Sequence, residues 1–122
     1  MTKRVLIADD EPNIVASLEF LMEQAGFEVK VATDGAAALA FVASFRPDLV
    51  LLDVMMPVKN GYEVCQSLKS NPDTRGVKVI LLSAKGRDVE VAKGLELGAD
   101  AYVTKPFSTR ELVARVKGLL GE

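Results

Sequence analysis

A chain of 122 residues, 49% hydrophobic and 26% charged with a net charge of −2, has room for one folded unit with a real core, which excludes a second sizeable domain and wholesale disorder. The absence of histidine excludes imidazole metal sites, imidazole general bases and a Ser-His-Asp triad, and the single cysteine, Cys65, excludes an internal disulfide or a zinc cluster. With 15 basic against 17 acidic side chains no basic surface for nucleic acid is expected; with no apolar run near the ~18 residues that span a bilayer and no signal peptide, a cytoplasmic location is expected.

Short apolar runs and longer stretches of helical spacing alternate along the chain. The first run, Val5–Ala8, reads as a strand. After Pro12 a helix carries Ile14, Val15, Leu18, Leu21 and Met22 on one face and stops at Gly26. Phe27–Ala32 alternates apolar and charged residues, as an edge strand does. The Asp34-Gly35 turn opens an alanine-rich helix that ends near Phe45. Leu49–Leu52 is continuously apolar, the signature of a strand buried on both faces. A third helix from Tyr62 turns Val64, Cys65 and Leu68 inward and breaks at Asn71-Pro72. Val77–Leu82 is again a buried strand, a fourth helix runs from near Asp88 to Gly98, and Ala101–Thr104 is the last strand. The final helix opens with Ser108-Thr109-Arg110-Glu111, the spacing of a capping box, and buries Leu112, Val113, Val116, Leu119 and Leu120. Five strand-helix units in succession predict an α/β fold: a flavodoxin-like (βα)5 three-layer sandwich around a parallel sheet of order 2-1-3-4-5.

In such sheets ligands bind beyond the carboxyl ends of the strands. The first strand there runs into Asp9-Asp10-Glu11, the third into Asp53, the fourth into Ser83 and the fifth into Lys105-Pro106. Singly, these residues are unremarkable: acids favour the start of a following helix, and a lone serine or lysine caps or solvates a strand tip. Jointly, three carboxylates at one edge repel one another unless a cation joins them. With oxygen as the only ligand type, the cation that fits is hard, and Mg2+ suits a site that also takes phosphate oxygens. Ser83 and Lys105 would then meet the oxygens of a phosphoryl group.

At these residues the chain resembles a known family. Asp9-Asp10, Asp53 within Leu51-Leu52-Asp53-Val54-Met55-Met56-Pro57, Ser83-Ala84 and Thr104-Lys105-Pro106-Phe107 are similar to the motifs of the receiver domain of bacterial two-component response regulators, the CheY-like domains. The likeness covers residues 1–122 as one receiver. It implies that Asp53 is the phosphoacceptor and that Asp10 binds Mg2+ directly, with Asp9 acting partly through water and the Met55 backbone carbonyl as a further ligand. It implies that Lys105 binds a phosphoryl oxygen, that Ser83 is the hydroxyl that senses it, and that Tyr102 is the aromatic switch residue. It also implies a cis Lys105-Pro106 bond. One departure is visible: Val58-Lys59-Asn60 stands where the family has Gly-Met/Leu-Asp, which bears on the geometry of that turn. The protein so implied is a signalling phosphoacceptor rather than an enzyme. Its donor would be a phosphohistidine on a sensor kinase or phosphotransfer protein.

Further expectations follow from this likeness. At 100° per residue Phe20 lies opposite the core stripe of the first helix, so a kinase is expected to dock at Asn13, Ile14, Ser17 and Phe20, with Phe107 added by resemblance. Glu96, Asp100, Glu111, Arg115 and Lys117 resemble the charged dimer face of winged-helix regulators, implying a homodimer on phosphorylation. Met55 and Lys85 border the expected path of hydrolytic water, and neither favours it, which implies a long-lived phosphoryl group. Two other classes fit less well. An aspartate-nucleophile phosphatase would carry a second carboxylate where Met55 stands, and a flavodoxin would not place Asp9-Asp10-Glu11 against a flavin phosphate. No G-x-x-x-x-G-K-[ST] loop is present for nucleotide hydrolysis.

Overall fold

The computed structural model describes residues 2–84 and 88–122. Its sheet holds β1 (Arg4–Ala8), β2 (Glu28–Ala32), β3 (Leu49–Asp53), β4 (Lys78–Ser83) and β5 (Ala101–Thr104), all parallel, in the order β2-β1-β3-β4-β5. This is the flavodoxin-like arrangement that the alternation of strands and helices predicts. Central β3 is buried throughout, and β4 is buried from Val79 onward, so each presents apolar side chains to both faces. Edge strand β2 alternates, with Glu28 and Lys30 exposed. The observed strands are displaced slightly from the apolar runs: Phe27 and Val77 lie just outside, while Asp53 and Ser83 are the final residues of β3 and β4. The polar residues of interest are thus part of the sheet.

Five helices cover the two faces: α1 (Pro12–Gln24), α2 (Gly35–Phe45), α3 (Gly61–Ser70), α4 (Asp88–Glu96) and α5 (Thr109–Leu120). Alternation along each strand divides the core. Val5, Ile7, Leu49, Leu51, Ile80 and Leu82 point toward Leu18 and Met22 of α1 and Leu112 and Val116 of α5. Leu6, Val50, Leu52, Val79 and Leu81 point toward Ala38 and Val42 of α2 and Val64, Cys65 and Leu68 of α3. Both layers are the ones right-handed crossovers produce.

Local chemistry sets the helix starts. Pro12 opens α1, and Asp34 accepts the Ala37 N–H at 2.8 Å to cap α2. The reciprocal capping box falls on α3, where Asn60 Oδ1 accepts the Glu63 N–H at 2.9 Å and Glu63 Oε1 accepts the Asn60 N–H at 3.1 Å. At α5, where the sequence predicts the box, the bond formed is that from the Glu111 N–H to Ser108 Oγ at 3.2 Å. The Lys105-Pro106 peptide is cis, as the resemblance implies.

The unusual Val58 resolves into a specific turn. Its φ is 71°, and the Lys59 N–H donates to the Pro57 carbonyl at 2.9 Å, a three-residue turn with its central residue at positive φ. A β-branched residue is strained there, and its side chain, 75% exposed, gains little packing in return. Replacing Val58 by Gly is therefore expected to raise stability by about 1 kcal/mol, the relief of strain exceeding the added freedom of the unfolded chain. Urea unfolding of the two proteins checks this; a lower midpoint for the Gly variant would show that the backbone is not strained.

Candidate functional site

The carboxyl edge of the sheet collects four side chains from four strand ends. Asp9 follows β1 directly, Asp53 and Ser83 end β3 and β4, and Lys105 follows β5. Backbone bonds continue the ladder across this edge: Asp9 N–H to Ala32 O at 3.1 Å, Val54 N–H to Leu82 O at 2.9 Å and Lys105 N–H to Ser83 O at 2.8 Å. Asp9, Asp53 and Ser83 are 0%, 5% and 1% exposed, and among the described residues they are the only buried polar or charged side chains. All three lie together, and burial of this kind requires compensation.

Lys105 supplies part of it. Its Nζ lies 3.2 Å from Asp9 Oδ2 and 3.5 Å from Asp53 Oδ1. Backbone donors supply more: the Glu11 N–H reaches Asp9 Oδ1 at 2.9 Å, and the Met55 N–H reaches Asp53 Oδ1 at 3.2 Å. Burial, followed by the Asp9 charge, pushes the Asp53 carboxyl up to about 6 against the pull of Lys105 and the Met55 N–H. For Lys105, burial alone would lower the ammonium's pKa, but the carboxylates of Asp53, Asp9 and Glu11 outweigh it and hold it above its ordinary value. Asp10 is exposed at the rim, and ligand oxygens of Asp9, Asp10 and Asp53 all lie within 4.8 Å of one another. Three carboxylates converge with an ammonium, and neither imidazole nor thiolate is among them.

The comparisons with known proteins point the same way. The family model of the response regulator receiver domain matches residues 5–117. The chain belongs to that family. It is 46% identical over 120 residues to the DNA-binding response regulator MtrA of Mycolicibacterium smegmatis, covering 98% of this receiver and 51% of that protein, so the chain spans about half its length. A proposed response regulator from Chloroflexus aurantiacus J-10-fl superimposes with a TM-score of 0.94 at 34% identity, with both chains fully covered. The BeF3-activated receiver domain of DrrB gives 0.91 at 37% identity, again over both whole chains.

The other residues singled out in the sequence take varied places in the receiver. Met55 is 63% exposed beside the acidic cluster, whereas Lys85 lies outside the described residues. On α1, Phe20 is 62% exposed and Asn13 and Ser17 are exposed, while Ile14 packs partly on the core; Phe107 does likewise. Glu96 is exposed at the end of α4, and Glu111, Arg115 and Lys117 are exposed on α5. Asp100 is engaged within the chain: its Oδ2 accepts from Lys69 Nζ at 3.0 Å and from the Val79 N–H at 2.8 Å. Any pairing of Asp100 across a dimer would share that carboxylate. Tyr102 is half-buried on β5, its hydroxyl 3.4 Å from that of Tyr62, a residue the sequence marks merely as a helix start.

The Asp53 shift carries a stability consequence. Its carboxyl titrates near 6 in the fold against an ordinary 3.8, so the fold disfavours the charged form. That cost is full above pH 6 and is lost as pH falls toward 4, where the native state has taken up its proton first. In chelator, Asp53→Asn is expected to be more stable than the native sequence by about 1–3 kcal/mol at pH 7.5, discounted for the lost attraction to Lys105, with the gap closing near pH 4. Thermal melts across that range check it; an equal or reversed order at pH 7.5 contradicts the assignment of burial as the dominant cause.

Proposed function

We propose that this receiver accepts a phosphoryl group from the phosphohistidine of a sensor kinase or phosphotransfer protein onto Asp53. The observation that carries the reading is the Lys105 ammonium held against both Asp9 and Asp53 at a buried strand edge. The all-oxygen donor set of Asp9, Asp10 and Asp53, with the Met55 carbonyl in the adjacent loop, fits Mg2+. When bound there, Mg2+ would neutralise charge on the transferring group's oxygens. An Asp53 oxygen attacks phosphorus in line, the P–O bond forms as the P–N bond breaks, and the electron pair leaves with the donor's imidazole nitrogen. Lys105 meets charge that spreads onto the equatorial oxygens, so positioning and electrostatics supply the protein's share of the rate.

The acyl phosphate then draws the Ser83 hydroxyl toward it, and Tyr102 follows into the space released. Such a change biases an existing two-state equilibrium on the face made by α4, β5 and α5. The kinase docks around Asn13, Ile14, Ser17 and Phe20, close to Phe107. Glu96, Glu111, Arg115 and Lys117, with Asp100 to the extent that Lys69 releases it, form a dimer face on phosphorylation. Met55 and Lys85 restrict the approach of water and prolong the phosphorylated state. The protein works in the cytoplasm, and its output is carried by a partner or by further protein, as the DNA-binding relative of about twice its length suggests.

Incubation with a small acyl phosphate donor and Mg2+ should add one phosphoryl group, detected by mass spectrometry, and Asp53→Asn should add none. Lys105→Ala should slow loading by roughly 10²-fold, the size of effect seen when one preorganised electrostatic contact is removed. Loading of the Asp53→Asn protein at the native rate would overturn the reading. After removal of the donor, phospho-Asp53 should decay faster in the combined Met55→Asn and Lys85→Glu variant; a slower decay would mean that these residues do not restrict water.

A further inference from the structure

Tyr62 sits one residue beyond a point of contact with the candidate phosphoacceptor. A Cβ placed on Gly61 would lie 2.4 Å from the Asp53 carbonyl oxygen and 2.8 Å from Val54 Cα, so the start of α3 rests on the backbone of the phosphoacceptor with no slack. The Gly61 N–H bonds to the Val54 carbonyl at 2.9 Å, and the Asn60–Glu63 box fixes the turn that follows. From there the Tyr62 side chain reaches two other elements. Its hydroxyl is 3.4 Å from the Glu90 carbonyl on α4 and 3.4 Å from the Tyr102 hydroxyl on β5. A carbonyl can only accept, so the arrangement that satisfies both contacts has Tyr62 donating to Glu90 and Tyr102 donating to Tyr62. Lys93 Nζ stands 4.6 Å over the Tyr62 ring, a second tie to α4. Tyr102 is itself confined, since a Cβ on Gly94 would lie 2.9 Å from its ring.

We propose that Tyr62 is a positioning residue of the switch, linking the Asp53 loop to Tyr102 and α4 through α3, a route that does not pass through Ser83. The inference rests on the reading of Asp53 as phosphoacceptor and Tyr102 as switch. Its physical basis is short and continuous: Gly61 transmits any shift of the Asp53–Val54 backbone to the first turn of α3, and Tyr62 carries it to α4 and β5. A contact biases a two-state equilibrium only by as much as it differs between the two states. Tyr102 cannot move toward Ser83 without changing its distance to a hydroxyl anchored on a different helix, so the Tyr62 contact differs between them.

The test titrates the full chain with beryllofluoride and Mg2+ and follows amide resonances of α4 and β5. Tyr62→Phe keeps the ring and removes the hydroxyl, and it is expected to change the half-saturating beryllofluoride concentration by about two- to fivefold, as suits a long neutral hydrogen bond. The same change is expected in a Ser83→Ala background, and a smaller one in Tyr102→Phe, where only the Glu90 contact of the Tyr62 hydroxyl is left to lose. A merely structural Tyr62 would lower the urea midpoint alike in every background and leave the titration unmoved; that result overturns the proposal. So does a shift that is undiminished in Tyr102→Phe or disappears in Ser83→Ala. If native protein and Asp53→Asn respond alike to beryllofluoride, the phosphoacceptor reading itself fails, and the relay falls with it.

Discussion

Two buried carboxylates beside one ammonium set the terms for this end of the molecule. Charges taken out of water at this depth cost several kcal/mol each before any attraction is counted. Lys105 offsets part of that cost at 3.2 and 3.5 Å, and the Glu11 and Met55 N–H groups offset more. The remainder shows as an Asp53 carboxyl pushed up to about 6. The sheet order is what makes the arrangement possible. Because β3 separates β1 from β4, Asp9 and Asp53 emerge side by side, while β5 lies two strands from β3. At about 4.8 Å per strand, only a long side chain directed back along the edge reaches both acids. Lysine has such a stem, and the other residues at the tip of β5 do not.

Much of this was legible in the residues themselves. Continuous apolarity marked β3 and β4 as central, alternation marked β2 as an edge, and the acids after the first and third runs marked the functional edge. Hydropathy alone bounds the apolar runs at Leu52 and Leu82, and Asp53 and Ser83, at which those strands end, complete the ladder because backbone pairing does not depend on side-chain polarity. Ser108 caps α5 where its spacing predicts, while the reciprocal box forms at Asn60 and Glu63, whose spacing is equivalent. Contacts between distant segments left no local signal. Neither the Lys69–Asp100 pair, 31 residues apart, nor the Tyr62–Tyr102 contact, 40 apart, can be read from any window of sequence.

Those two long-range contacts divide the α3–α4 side of the molecule by function. At the amino end of the sheet, Lys69 Nζ is bonded to the Val77 carbonyl, the Arg75 carbonyl and Asp100, tying the end of α3 to the start of β4 and the approach to β5. Every partner there is well placed and little could move without loss. At the carboxyl end, the Tyr62 hydroxyl of α3 meets the Glu90 carbonyl of α4 and the Tyr102 hydroxyl of β5, each at 3.4 Å, a distance at which hydrogen bonds are weak and readily exchanged. Helix α3 is thus stapled to the start of β4 and the approach to β5 at one end, and coupled loosely to α4 and β5 at the other, where the acidic cluster lies.

Departures from the ordinary rules of folding gather at that end too. The buried polar side chains described are Asp9, Asp53 and Ser83, the β-branched residue at positive φ is Val58, and the tightest backbone approach to Asp53 is that of Gly61. Each lowers stability or forbids substitution, and all lie at or just beyond strand ends, on the loop from β3 to α3, or at the first residue of α3. Away from that edge the chain largely follows its local preferences, with apolar strands between helices; Arg46, at φ 54° just past the end of α2, is an exception. Uniform departures would suggest a poorly matched sequence; departures concentrated at one edge fit a surrounding core that holds them in place. The part of that stability set by the Asp53 charge is recoverable by whatever neutralises the carboxylate, whether a proton or an amide in its place. A site that relaxes when its central charge is altered can pass that relaxation to the elements resting on it, and Gly61, next to Tyr62 in α3, rests on it directly.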